Sequence, residues 1–146
     1  MIRKNNDSLI FEANYSFKNG FRTTQNDNDS SNFNISIFGG SHLFGEGLND
    51  NQTVAYFLNK NSNSSYNITN YAFNGYGTHQ ALISLEKRLS TKKDIPKIIV
   101  YYFITEHIFR SAGNALWDTK GPLYEFENNE FTYKGSFNEN RLIKPN

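Results

Sequence analysis

The chain has no cysteine, which excludes disulfide staples, thiolate metal ligands and cysteine nucleophiles. Proline occurs 3 times, and methionine and tryptophan once each. No apolar run approaches the length of a bilayer span. Arg3 and Lys4 near the start are not followed by an apolar stretch, so no signal peptide is expected. Neither sign of charge dominates: Lys+Arg 15 against Asp+Glu 14 leaves a formal +1, with no electrostatic case for nucleic acid or an anionic membrane. The default expectation is a cytoplasmic protein. A periplasmic one is equally free to lack cysteine if a leader has been lost.

What is present is one domain's worth of chain, 146 residues, whose apolar content leans on 13 Phe and 9 Tyr. Asparagine is abundant, and triplets such as Asn34-Ile35-Ser36 and Asn67-Ile68-Thr69 are read as chance products of that composition rather than glycosylation sites. Residues 1–32 read as an extended and loop segment: Leu9-Ile10-Phe11 and Tyr15-Ser16-Phe17 are extended, Lys18-Asn19-Gly20 is a turn, and Phe21-Arg22 leads into a polar stretch over 23–32.

From residue 33 the pattern becomes β-α-β-α-β. Asn34–Phe38 is a buried strand ending on Gly39-Gly40. Asp50 or Asn51 is expected to cap a helix that buries Val54, Phe57 and Leu58. Tyr66–Phe73 is a second strand. Thr78 then caps a helix over 79–92 with Ala81, Leu82, Leu85 and Leu89 on one face. Lys97–Ile104, apolar at nearly every position, reads as a central parallel strand, and Glu106–Ala112 as a helical turn. Leu123–Glu127 and Glu130–Lys134 alternate at period two around Asn128-Asn129, a β-hairpin near 123–134. Short connections in this order imply right-handed crossovers and a parallel sheet between helices. Ligands bind such sheets at the carboxyl ends of the strands. Gly39-Gly40-Ser41, Asn74-Gly75 and Thr105-Glu106-His107 share that edge.

Glycines at such a turn let backbone N–H groups approach a reacting oxyanion, and a serine there stands where a nucleophile must. The segment Phe38-Gly39-Gly40-Ser41-His42-Leu43-Phe44-Gly45-Glu46-Gly47-Leu48-Asn49-Asp50 resembles the first block of SGNH (GDSL-like) hydrolases, G-D-S-x-x-x-G after the first strand. Asn70-Tyr71-Ala72-Phe73-Asn74-Gly75 is similar to their second block, which closes on an oxyanion-hole glycine. The likeness covers about residues 33–110. It implies a three-layer flavodoxin-like α/β fold with a parallel sheet, here truncated at its C-terminal side (33–146) and carrying the hairpin as an insertion. It implies a serine esterase acting on small-molecule, glycan or lipid esters, with Ser41 as nucleophile, Gly75 in the oxyanion hole, and no cofactor or metal. His42, Asn74, Glu106 and His107 are its expected binding residues.

Departures from the pattern are specific. Gly40 replaces the Asp of the first block. Thr105 and Glu106 replace the Asn and Asp of the third, so Thr105 becomes a weaker oxyanion donor, with His107 and Arg110 as an anion clamp or as structural partners. None of His42, His79 and His107 follows an Asp by three residues, so the D-x-x-H base is missing and the chain alone is expected to be inactive. The alternatives are a catalytically silent binding or scaffold protein and a flavodoxin-like small-molecule binder. Scattered histidines argue against zinc, and the absence of Gly-Lys-Ser/Thr argues against a P-loop. Trp117 with Tyr124, Phe126, Phe131 and Tyr133 reads either as a sugar-stacking surface or, preferentially, as hairpin packing against the sheet. A three-strand remnant exposes a sheet edge and so invites self-association.

Overall fold

The computed structural model describes residues 1–5, 8–24, 33–62, 65–91 and 95–140. In chain order the elements are β1 (Ile2–Asn5), β2 (Ser8–Glu12), β3 (Phe17–Lys18), β4 (Phe21–Arg22), β5 (Asn34–Phe38), α1 (Ser41–Phe44), a 3-10 turn (Asp50–Gln52), α2 (Val54–Asn61), β6 (Asn67–Asn70), α3 (Thr78–Ser90), β7 (Ile98–Tyr101), α4 (Glu106–Ser111), β8 (Pro122–Glu127), β9 (Glu130–Ser136) and α5 (Phe137–Asn140). A mixed five-stranded sheet in the order β3-β4-β6-β5-β7 organises them.

β5 lies between β6 and β7 and is parallel to both, with Ile37 opposite Asn70 on one side and Val100 on the other. Side chains alternate across a strand, so β5 feeds two cores. Ile37 packs with Leu43, Phe44, Ala55, Ile68 and Ala72 on the α1–α2 face. Phe38 packs with Tyr71 and Ala81 on the α3 face. The chain leaves β5 through α1 and α2 for β6 on one side, then crosses back through α3 to β7 on the other, so the carboxyl end of β5 is the point where the strand order reverses.

Several expectations need correcting. The sheet is mixed rather than wholly parallel: Phe21-Arg22 is not the start of a loop but strand β4, which pairs antiparallel with β6 through Arg22 and Asn70. The polar stretch from 25 to 32 lies outside the described residues. β7 is an edge strand, not a central one, and Ile98, Ile99 and Val100 are 43–46% exposed. Apolarity on consecutive positions marks a strand meant to be covered on both faces, and does not fix its place in the order.

In α2 the cap is Thr53, whose hydroxyl accepts from Tyr56 N at 3.2 Å. Ala55 and Asn59 are the buried face, while Val54, Phe57 and Leu58 stay about half exposed. Asn59 decides this orientation: its carboxamide both donates to Ile68 O (3.2 Å) and accepts from Ile68 N (3.0 Å), docking the helix on β6. Val54 and Leu58 then line an apolar groove of about 570 Å³ with Ile35, Ile37, Ile98 and Val100. α3 begins at Thr78, with Gly77 as its cap and Gln80 Oε1 accepting from Gly77 N at 2.6 Å. Of its expected apolar face only Ala81 is buried.

The hairpin of β8 and β9 turns on Asn128 and Asn129, both with positive φ (53° and 64°), the two-residue turn whose twist suits the flanking strands. It packs on α3, where Tyr124 Oη donates to Glu86 Oε2 at 2.5 Å, not on the sheet. Phe126, Phe131 and Tyr133 pair across its strands and remain 51–65% exposed.

Candidate functional site

Parallel pairing continues past the strand ends. Tyr71 N donates to Ile37 O (2.8 Å), Phe73 N to Gly39 O (3.2 Å) and Tyr102 N to Phe38 O (2.8 Å). The Gly39–Ser41 turn is thereby held between the segment leaving β6 and the segment leaving β7. Ser41, half-buried, is the first residue of α1, where backbone N–H groups are not consumed inside the helix. Gly75, in the segment leaving β6, has φ +81°, a conformation that a side chain would strain.

The two segments meet at Gly40. A methyl group at residue 40 would lie 3.2 Å from Tyr76 O, 2.8 Å from His107 Nε2 and 3.1 Å from Arg110 Nη1. Ser41 and Gly75 are the chain neighbours of this contact. The same closeness explains why residue 40 is glycine: α4 has placed an imidazole and a guanidinium where a first-block aspartate would project. Arg110 fixes the arrangement by donating to Tyr76 O at 2.7 Å.

His107 is fully buried, with Nδ1 2.6 Å from Tyr101 Oη, which is 2.9 Å from Thr78 Oγ1. Its Nε2 has no hydrogen-bond partner among the described residues. Burial, then the Arg110 charge, pushes its pKa down. Thr105 and Glu106 are exposed at the start of α4, and the Thr105 hydroxyl makes no capping hydrogen bond. It is thus His107, two residues past Thr105, that reaches the Ser41 loop. His42 is exposed, with its ring 6.3 Å from that of Tyr102. Asn74 is half-buried, and its Oδ1 lacks a partner among the described residues.

A second cluster joins three elements. His79, on the first turn of α3, is 3.1 Å from Ser111 Oγ through Nδ1 and 2.7 Å from Asp118 Oδ2 through Nε2. Gln80 Nε2 donates to the same Asp118 oxygen. Just after its serine, the N–H groups of Ala112, Gly113 and Asn114 are already spent on carbonyls of α4 and do not serve as oxyanion donors. This Ser–His–Asp chain is a clasp binding α3 to α4 and to the segment ahead of the hairpin. Burial outweighs the Asp118 carboxylate and lowers the His79 pKa.

Both buried histidines thus favour the neutral form when folded, so the unfolded chain takes up protons first as pH falls. Stability is expected to be intact above their ordinary value of 6.5 and to fall as pH drops below it. Urea midpoints at pH 7.5 and 5.5 measure this. The difference should shrink in His107→Gln, and equal midpoints in the native chain would refute it.

Residue Arg22 was not visible as a site component. Its guanidinium, buried under the loop that follows α1, donates to Phe44 O (2.8 Å), Gly45 O (2.7 Å), Leu48 O (2.5 Å) and Asp50 Oδ1 (3.0 Å). It also lies 4.3 Å from the Tyr15 ring centre. His107 and Arg110, by contrast, carried a readable signal: i and i+3 on a helix opening at a strand's carboxyl end share one face.

Among the described residues no group of three His, Cys, Asp or Glu side chains could hold a metal, and no helix is long and apolar enough to cross a membrane. No family model matches the chain, and no curated protein or solved structure does either.

Proposed function

We propose that this chain carries the nucleophile and oxyanion-hole portion of an SGNH-type serine ester hydrolase. The observation that supports the reading most is the position of Ser41: the first helical residue after the central parallel strand, at the reversal of strand order, one residue from the contact between Gly40 and Tyr76. In this reading Ser41 Oγ attacks the ester carbonyl. The N–H groups of Ser41 and Gly75 receive the charge that develops on the carbonyl oxygen, the alcohol leaves, and water releases the acid. The general base is not supplied by a D-x-x-H motif of this sequence, so the chain alone is slow. Exposed β7 offers an edge through which two copies associate.

The test is hydrolysis of p-nitrophenyl acetate by the native chain and by Ser41→Ala, with and without added imidazole as a surrogate base. The expected result is no Ser41-dependent rate without imidazole and a Ser41-dependent rate with it. Equal rates for the two proteins in both conditions would favour a second reading, a catalytically silent binding protein on the same sheet. The packing of His107 and Arg110 against Gly40 speaks for that alternative, since it replaces the aspartate of the resembled pattern with groups of opposite character.

A further inference from the structure

On α3, Gln80, Ile83, Ser84 and Lys87 recur at i, i+3, i+4 and i+7 and so share one face of the helix. Together with the 118–122 segment and Tyr133 of β9, that face borders a cavity of about 400 Å³, within the range of about 300–1,000 Å³ that holds small molecules. Its polar groups are mostly donors. Lys87 enters from α3 and Lys120 from the segment ahead of β8, and neither ammonium makes an ion pair among the described residues. Ser84 adds a hydroxyl, and Tyr76 a second, kept protonated by burial and then by the Asp118 charge. Asp118, the acidic residue of the lining, has its Oδ2 engaged by His79 Nε2 at 2.7 Å and by Gln80 Nε2. An exposed lysine is ordinary. Two that converge on one concavity, with a single carboxylate already engaged, leave a local excess of positive charge. The whole chain carries a formal +1, so that excess belongs to this place and not to a general field.

We propose that this cavity binds a small phosphate monoester, as a site distinct from the Ser41 turn and independent of the hydrolase reading. A monoester phosphate carries about −1.5 to −2 charge at pH 7 and three strong acceptor oxygens. That matches two ammonium groups and two hydroxyls better than a carboxylate does, with its single charge and two oxygens. Lysine binds phosphate as a point charge and needs no fixed fork geometry, so side chains from two separate elements can serve. The cavity is larger than a phosphate ion. Ile83, Pro122 and the Tyr133 ring give the organic part an apolar wall, and Asp118 Oδ1 gives a hydroxyl on it an acceptor.

Isothermal titration calorimetry with glycerol 3-phosphate, in a phosphate-free buffer at fixed ionic strength, tests the assignment. Saturable binding is expected, weakened about tenfold by Lys87→Gln and by Lys120→Gln, since each removes a charge-assisted hydrogen bond. Lys60→Gln, on α2 and outside the cavity, removes the same unit of charge and should leave the affinity unchanged. Inorganic phosphate should bind more weakly than glycerol 3-phosphate, and acetate more weakly still. Absence of saturable binding, undiminished affinity in either cavity variant, an equal loss in Lys60→Gln, or acetate binding as tightly as the phosphates would overturn the proposal. Inorganic phosphate binding as tightly as the ester would overturn the assignment to a monoester. Ser41→Ala should bind as the native chain does, so the outcome is legible whether or not the chain hydrolyses esters.

Discussion

Arg22→Ala should lower the stability of the folded chain by about 3–5 kcal/mol, a large part of the 5–15 kcal/mol typical of a domain. The substitution strips the donor from three backbone carbonyls, Phe44 O, Gly45 O and Leu48 O, and leaves Asp50 without its buried counter-charge. It also removes the cation that lies against both the Tyr15 and Phe44 rings. Asp50→Asn should cost less, because its side chain keeps an acceptor for Ser16 N, now 2.9 Å away. Urea denaturation monitored by circular dichroism measures both. A loss under about 1 kcal/mol for Arg22→Ala would mean that the loop after α1 holds itself, as an exposed ion pair would suggest.

Phe38→Ala should cost a comparable 3–5 kcal/mol. Phe38 is 2% exposed, stacks on Tyr71 with ring centres 5.0 Å apart, and is the last residue of β5, two positions before Gly40. The cavity would open directly beneath the Ser41 turn. The informative contrast is Phe126→Ala on the hairpin. Phe126 is 60% exposed and touches mainly Phe131 across the strands, so its loss should stay within about 1 kcal/mol. If the two substitutions cost the same, the α3 face of the sheet is not the core described above.

Where local pattern and tertiary context agree, the sequence was readable. Asn34–Phe38 alternates, ends on glycines, and forms β5 over the same residues. Asn128-Asn129 between alternating runs forms its two-residue turn. Two of the failures share a cause, the pull of polar side chains whose partners are remote in sequence. The apolar stripe of α2 predicts burial of Val54 and Leu58, but Asn59 finds a backbone amide on β6 and turns the helix the other way. Arg22 at the head of a polar stretch looks like a solvent residue, and only the fold supplies the carbonyls it binds 22–26 positions later. The apolarity of β7 was evident, yet nothing local distinguishes a central strand from an edge.

At the candidate site, the shared strand edge of Ser41 and Gly75 followed from glycine placement and strand order, whereas the roles expected of them came from the family resemblance. The strand end pointed to Thr105 as an oxyanion donor and to His107 as a binding residue; the first turn of α4 carries residue 107 inward and leaves 105 in water.

Composition changes sharply near residue 32, and an experimenter seeking a minimal unit would cut there. The cut would remove the guanidinium threaded beneath the α1 loop, along with a strand hydrogen-bonded to β6. A polypeptide starting at Phe33 would therefore keep every residue assigned to catalysis while losing the strut that shapes their loop. The opening two dozen amino acids are masonry of the candidate site rather than its doorstep.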